Sequence, residues 1–190
     1  MSTGARVIAV EPLAAMRARL EQAVPGAQSL DGTAEAIPLP DASVDAVTVA
    51  QAFHWFRFDE ALAELHRVLR PGGGLALVWN EWREEDRLVA AVEAIVVPLR
   101  GEVPTRRGGG WRDEFATSRL FGPLEETTFE YVQTIDAEQL VSRVLSISVV
   151  AALPPDEKAA VAERVRALTD GLPERFPLPY DTRVFLCHRS

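Results

Sequence analysis

Apolar residues along this chain fall into short unbroken runs and into longer stretches with helical spacing. The runs are rich in β-branched residues and predict buried strands at residues 6–10, 45–50 and 75–79, with a shorter strand at 27–30. Apolar residues three or four positions apart predict helices after Pro12 and after Asp59, and Asp59 is the expected N-cap of the second helix. This alternation of strands and helices is typical of an α/β fold with a parallel sheet.

The second half of the chain has a different pattern. Residues 87–99 have helical spacing, and residues 127–135 alternate like a strand with one exposed face. Asp136 and Gln139 have the spacing of a capping box, which predicts that a helix begins there. A further helix is expected after Pro154 and a last strand at 182–187, while the glycines at 108–110 predict a loop.

Composition and charge narrow the class of ligand. The chain has 190 residues, enough for one domain, and its 20 basic and 28 acidic residues give a net charge of −8, which argues against binding to nucleic acid. A single cysteine, Cys187, cannot form an internal disulfide, and three histidines without ligand spacing predict no metal site. No apolar run approaches the ~18 residues of a membrane span. We therefore expect a cytoplasmic protein that binds neither nucleic acid nor a membrane.

Three segments come directly after predicted strands, at the carboxyl ends where parallel sheets bind ligands. Glu11 could accept hydrogen bonds from both hydroxyls of a ribose, or could simply be an acid at the start of a helix. The small-residue loop at 31–35 could let backbone groups reach a flat heterocycle, or could be a turn. The segment at 51–56 holds three aromatic residues and His54, and its position favours a functional site over a hydrophobic cluster beneath the next helix.

Four segments have the order and spacing seen in the class I S-adenosylmethionine-dependent methyltransferases: RVIAVEP, DGTAEAIPLPDASVDAV, QAFHWF and ELHRVLRPGGGLALVWN. The chain most resembles the small-molecule branch of that family, which includes enzymes similar to trans-aconitate methyltransferase. The resemblance implies a Rossmann-like sheet that is mostly parallel with an antiparallel C-terminal strand. It also implies one domain, with a cofactor-binding half at 1–99 and substrate-covering helices and C-terminal strands at 100–190.

The resemblance assigns a part of S-adenosylmethionine to each matching segment. Glu11 would hold the ribose hydroxyls. The residues that would flank the adenine are Thr33, Ala34 and Glu35. Those that would border the methionine half and the transferred methyl are Gln51, Ala52, Phe53, His54 and Trp55. Those that would face or cover the substrate are Trp55, Phe56, Trp111, Phe115 and the helices between 136 and 171.

The methyl acceptor determines which further residues the reaction needs. If the acceptor is a hydroxyl, a general base helps, and His54 is the best placed candidate. If it is a carboxylate, an arginine would orient it through two parallel hydrogen bonds, and the candidates are Arg57, Arg112 and Arg183.

One part of the family's pattern does not occur in this sequence. In the family, a first strand and a glycine-rich loop precede the position of Arg6, whereas five residues stand before it here. We therefore expect a sheet without its central strand between 6–10 and 45–50, and a cofactor site that is incomplete on its methionine side. Such a gap could be filled by another copy of the chain or by a different partner.

Two rival hypotheses belong to other classes. One is a non-catalytic methyltransferase-like subunit whose sheet is completed by a partner chain. The other is a nicotinamide dinucleotide domain, in which an acid also follows a strand, but no G-x-G-x-x-G precedes Glu11.

Overall fold

A computed structural model describes residues 4–101 and 110–190 of the chain. The predicted loop at 108–110 lies outside the described residues except for Gly110. The strands are β1 (Ile8–Val10), β2 (Gln28–Leu30), β3 (Val44–Ala50), β4 (Leu69–Trp82), β5 (Glu125–Ile135) and β6 (Phe176–His188). The helices are α1 (Ala14–Ala23), α2 (Phe58–Val68), α3 (Arg87–Val96), α4 (Trp111–Thr117), α5 (Ala137–Leu145), α6 (Ser148–Ala151) and α7 (Pro155–Ala167). Single turns of 3-10 helix lie at Phe53–Trp55 and Val97–Leu99.

The strands form two sheets rather than one. β1 and β2 pair in parallel, and a second sheet has the order β3-β4-β6-β5. Ala42 and Ser43 donate to the carbonyls of Arg67 and Val68, so the chain enters β3 parallel to β4. Arg189 pairs with Gly73 and Arg83 with Pro179, so β6 runs antiparallel to β4. The fold is therefore a mixed α/β fold with parallel pairs and an antiparallel C-terminal strand, as predicted.

The described residues group into two compact units. One contains residues 4–77, 110–126 and 185–190, and the other contains residues 78–101 and 127–184. The expected division into a cofactor-binding half at 1–99 and a substrate-covering half at 100–190 is a functional one and stays a prediction. The boundaries of the two compact units fall inside long strands, because β4 and β6 have 14 and 13 residues and each runs through both units.

In the first unit, the strands predicted to be buried on both faces are more open than expected. All three residues of β1 are half-buried, and in β3 a single residue, Val49, is fully buried. Helix α1 has no buried residue, and Met16 on it is 55% exposed. Among the described residues no strand joins β1 to β3. The expected gap therefore lies between them, and it explains why both strands lack the cover that a continuous sheet would give.

Helix α2 and strand β4 form the best-packed part of this unit. Leu62 and Leu65 are buried, as the spacing predicts. The prediction that Asp59 is the N-cap is wrong, because Arg57 occupies that position. Asp59 lies in the first turn of the helix, where its negative charge interacts favourably with the helix dipole. β4 begins directly after the helix, six residues earlier than the strand predicted at 75–79.

The second unit has its own apolar core. Helices α3, α5 and α7 contribute Val92, Leu140 and Val165 to it, all at most 1% exposed. The predicted capping box is present: Asp136 accepts from the backbone of Gln139, whose side chain accepts from the backbone of Asp136. The prediction of one exposed face for β5 is wrong, because residues 125–132 are exposed on both faces. An edge strand has a neighbour on one side only, and no described element covers either face here.

None of the helices in the two described ranges is long and apolar enough to cross a membrane. Those ranges also contain no group of three or more His, Cys, Asp or Glu residues that could hold a metal ion.

Candidate functional site

The ends of β1 and β2 bring two carboxylates and an arginine together. The Oε1 atom of Glu11 accepts a hydrogen bond from the backbone N–H of Leu13 at 2.9 Å. This contact corresponds to the interpretation of Glu11 as an acid at the start of a helix. Arg17 donates to the carbonyl of Glu11 at 2.7 Å and to Asp31 at 2.9 Å. The other carboxylate oxygen of Glu11 has no hydrogen-bond partner among the described residues, so it can still accept from a ligand hydroxyl. The two interpretations of Glu11 are therefore compatible.

The loop that follows β2 is tightly built around Gly32. A Cβ atom at this position would lie 2.6 Å from Cδ of Pro38 and 3.0 Å from Cγ1 of Val10, so a larger residue would displace the loop. Thr33 and Ala36 form an isolated antiparallel bridge, which makes the segment a turn. Within this turn Thr33 is exposed, whereas Ala34 and Glu35 are half-buried. The loop therefore presents small residues in a fixed conformation at the end of β2.

Two residues of α2 hold this loop in place; both belong to the segment ELHRVLRPGGGLALVWN, but no role was predicted for either. Glu64 accepts from the backbone N–H of Ile37 at 2.9 Å. Arg67 donates to the carbonyls of Ile37 and Leu39 at 2.9 and 2.8 Å, and to Asp41 at 2.7 Å. Glu64 and Arg67 also pair with each other at 2.8 Å. The three-residue spacing of an acid and an arginine was a visible signal, but its partners could be known only from the tertiary structure.

Glu35 links the loop to the start of α2. Its Oε1 atom accepts from the backbone N–H of Arg57 at 2.9 Å. Burial acts to raise the pKa of Glu35, but hydrogen bonds from the backbone of Arg57, from its own backbone and from Thr33 outweigh burial, so the pKa lies below the ordinary value. Glu35 is therefore an anion that fixes the loop, and this role leaves its side chain less available to an adenine than the resemblance implies.

The segment after β3 begins with a strained turn. Gln51 has a φ of +57°, a left-handed conformation that is uncommon for residues other than glycine. Such strain recurs at functional sites, where surrounding structure holds the backbone in place. The turn leads into the 3-10 turn, where the rings of His54 and Trp55 lie 5.1 Å apart and Trp55 is 50% exposed. An exposed tryptophan beside a half-buried histidine and Ala52 offers an apolar surface at this strand end.

Phe53 points the other way, into an aromatic cluster. Its side chain is 2% exposed, and its ring meets those of Phe56, Phe58 and Trp111 edge-on at 5.7–5.8 Å. Phe115 joins the same cluster at 6.5 Å. Phe53 therefore has the packing expected of a hydrophobic cluster beneath the next helix, and its role beside the cofactor stays a prediction. Trp111 and Phe115, expected to cover the substrate, pack in this cluster as well and are 5% and 3% exposed.

The three candidate arginines each pair with a different acidic residue. Arg57 makes two hydrogen bonds to Glu60 at the exposed start of α2. Arg112 pairs with Glu126 at 2.8 Å and lies 4.5 Å from the centre of the Phe185 ring. Arg183 belongs to the second unit, where it lies 3.8 Å from Glu81. All three arginines thus remain candidates for binding a carboxylate.

These strand ends fit the adenosine part of S-adenosylmethionine. Glu11 offers an acceptor for ribose hydroxyls, the Gly32 turn offers small residues, and the segment after β3 offers an exposed aromatic ring. Fewer residues are available to bind the methionine part, because no described strand lies between β1 and β3.

Comparison with known proteins identifies the family. The profile of a methyltransferase domain matches residues 1–77. The chain is 34% identical to an uncharacterized methyltransferase-like protein of Schizosaccharomyces pombe, over 97% of this chain and 70% of that protein. It is 38% identical to an uncharacterized methyltransferase of Mycobacterium tuberculosis, over 87% of this chain and 65% of that protein. The chain thus spans about two thirds of the length of each relative.

A solved structure supports the same family. A structure from Anaeromyxobacter dehalogenans, assigned as a type II methyltransferase, superposes with a TM-score of 0.64 at 30% identity, covering 97% of this chain and 80% of that one. The fold and these relatives together define a methyltransferase-like α/β protein. The chain belongs to the class I S-adenosylmethionine-dependent methyltransferase family.

Proposed function

We propose that this chain binds S-adenosylmethionine and takes part in methyl transfer to a small-molecule hydroxyl or carboxylate. The observation that carries the proposal is that Glu11, the Gly32 turn and the strained Gln51 turn each come directly after the carboxyl end of a strand, β1, β2 and β3 respectively. Parallel sheets bind their ligands at such ends. Family membership supports the choice of S-adenosylmethionine over other nucleotides that carry a ribose.

The chain's own residues would mainly bind and align the reactants. When bound, S-adenosylmethionine supplies an activated methyl group on a sulfonium, so alignment and exclusion of water contribute most of what the protein must add. Glu11 fixes the ribose, and Trp55 shields the reacting end from water. If the acceptor is a hydroxyl, His54 removes its proton. If it is a carboxylate, Arg57, Arg112 or Arg183 orients it, and no base is needed.

A second candidate function follows from the split sheet. The absence of a strand between β1 and β3, among the described residues, favours a methyltransferase-like subunit whose sheet and methionine side are completed by a partner chain. In that case the isolated chain would hold the adenosine part weakly or not at all. Catalysis would then require the partner.

Calorimetric titration separates the two candidates. We expect S-adenosylhomocysteine to bind, and 5′-methylthioadenosine, which lacks the amino-acid part, to bind almost as tightly because the methionine side is open. If neither binds, the catalytic proposal fails for the isolated chain, and the partner-completed subunit is supported. If S-adenosylhomocysteine binds far more tightly than 5′-methylthioadenosine, the methionine side is complete, and the partner-completed subunit is refuted.

Variants at Glu11 test the site itself. Glu11→Ala should weaken binding roughly tenfold to a hundredfold, since a pair of charge-assisted hydrogen bonds contributes about 1.5–3 kcal/mol. Glu11→Gln keeps an acceptor for Leu13 and separates the helix-start role from ligand binding. Glu21→Ala, on the exposed side of α1, is the matched control. Equal affinity for Glu11→Ala and Glu21→Ala would contradict the assignment.

A further inference from the structure

We propose that β5 is a dimerisation edge, at which two copies of this chain pair antiparallel through β5 and join their four-stranded sheets. β5 is the last strand in the order β3-β4-β6-β5, so one side of its backbone has no neighbouring strand. It has 11 residues, about twice the usual strand length. The proposal does not depend on methyl transfer.

Apart from its three glutamates, the edge lacks the features that usually prevent strands from pairing. Natural edge strands are protected by charged residues, above all lysine, and by proline, bulges or a covering element. The sequence of β5, EETTFEYVQTI, contains no lysine or proline, and eight consecutive residues, 125–132, are exposed. Three large apolar side chains lie in this stretch: Phe129, Tyr131 and Val132 are 56%, 55% and 54% exposed. Exposed apolar side chains on an open edge indicate a surface that pairs with another strand.

The acidic residues of β5 are largely balanced within the same chain. Glu126 pairs with Arg112 at 2.8 Å, and Glu130 lies 3.2 Å from Arg83. These contacts reduce the repulsion that two copies of a chain with a net charge of −8 would otherwise feel at this edge. Glu125 is then the one glutamate of β5 without an ion pair to a described residue, so the edge keeps little negative charge to attract a basic partner strand, which favours a second copy.

Among registers centred on residues 128–131, the residue pattern selects one. A two-fold axis at Phe129 places the two Phe129 side chains opposite each other, with Thr128 opposite Glu130 and Glu126 opposite Val132. No carboxylates then face each other. Moving the axis to residue 128 places Glu126 opposite Glu130, and moving it to residue 130 places Glu130 opposite itself; like charges in these positions are destabilising.

Moving the axis to Tyr131 is unfavourable for a different reason. That register requires Ile135 to pair with a residue of the second copy, but Ile135 is fully buried. The carbonyl of Thr134 is also already bonded to Arg175 at 2.8 Å. The exposed stretch 125–132 is nearly centred on Phe129, so the axis at Phe129 uses the part of the strand that is open.

The mass in solution gives the first test. Light scattering at about 100 µM protein, where a dimer of micromolar Kd is almost fully formed, should give twice the 20.9 kDa chain mass. Phe129→Lys should raise the dimer Kd about tenfold or more, because two like charges would face each other at the axis. A monomer at every concentration would overturn the proposal, as would a Phe129→Lys variant that dimerises like the wild type.

Disulfide formation tests the register. Phe129→Cys should cross-link, since directly opposed residues have Cβ atoms about 4.5–5.5 Å apart, close to disulfide geometry. Tyr131→Cys is equally exposed, but the two copies of this residue would be four positions apart along the strands, about 14 Å, and should not cross-link. The native Cys187 is 4% exposed, so the wild type controls for it. Dimers that cross-link equally at both positions, or only at 131, would overturn the proposed register and edge.

Discussion

Replacing Arg67 by alanine tests whether α2 holds the loop that carries Thr33, Ala34 and Glu35. Arg67 makes two hydrogen bonds to Glu64, two to backbone carbonyls of the loop and one to Asp41. Asp41 is 80% exposed, so its bond contributes little. The other four bonds, at about 0.5–1.5 kcal/mol each, would total roughly 2–6 kcal/mol. Because Arg67 is 31% exposed, water replaces part of this, and we expect a loss of about 2–4 kcal/mol.

Arg70→Ala is the matched control for Arg67→Ala. Arg70 stands in the same RVLRPGG segment but pairs with Asp45 alone, and the two side chains are 53% and 84% exposed. Its removal should cost less than about 1 kcal/mol. A protein of this size loses about 2–4 °C of Tm per kcal/mol, so thermal unfolding should separate the variants by roughly 5–10 °C.

Ligand binding provides the second readout for Arg67. If the loop contributes to the adenine side of the site, Arg67→Ala should weaken S-adenosylhomocysteine binding, whereas Arg70→Ala should leave it unchanged. Equal melting temperatures for the two variants would refute the inference that Arg67 holds the loop. Unequal melting temperatures with equal affinities would keep the structural role and remove the functional one.

Three further predictions concern stability. The hydrogen bond from Arg67 holds the pKa of Glu64 below the ordinary 4.5. The ionised Glu64 therefore stabilises the folded state fully above pH 4.5, and this contribution is lost as the pH falls through the lowered pKa. Glu64→Gln should accordingly reduce the loss of stability at acid pH, measured by urea unfolding. Asp136→Ala should cost about 0.5–2 kcal/mol in the same assay by removing the capping box, and an unchanged midpoint would contradict that. Gly73→Ala should lower the free energy of unfolding by about 1–3 kcal/mol, since its Cβ would lie 2.9–3.0 Å from two backbone oxygens. Gly74→Ala is the control: its Cβ would meet nothing closer than 4.0 Å, and its free energy of unfolding should stay within about 1 kcal/mol of the wild type.

Most helices and strands could be predicted from the sequence because their signals are local. The spacing of Leu62 and Leu65 predicted α2, and the side chains of Asp136 and Gln139 predicted the start of α5. The extra length of β4 could not be predicted, because residues 69–74 extend through pairing with other strands rather than through their own preferences. The prediction that β3 is buried on both faces failed for the same reason: β3 has the composition of a central strand, but no described strand lies between it and β1.

The sequence pointed to where a site could lie, but it could not show how the side chains there are arranged. Position after a strand pointed to Glu11 and to the segment that begins at Gln51, because strand ends meet at one edge of a parallel sheet. Position in the sequence could not show that Phe53 is buried while Trp55 is exposed, since the residues of a 3-10 turn face different directions. Nor could it show the contacts of Arg67 with the loop, whose partners lie 26–30 positions away in the sequence.

Hydrogen–deuterium exchange with and without S-adenosylhomocysteine tests the central claim most directly. The proposed site predicts that the ligand slows exchange in three separate segments, 11–13, 31–36 and 51–55, and leaves β5 unchanged. Protection in these segments and not in β5 would locate the ligand at the ends of β1, β2 and β3. Saturating ligand that leaves all three segments unprotected, or that protects only other parts of the chain, would contradict the account.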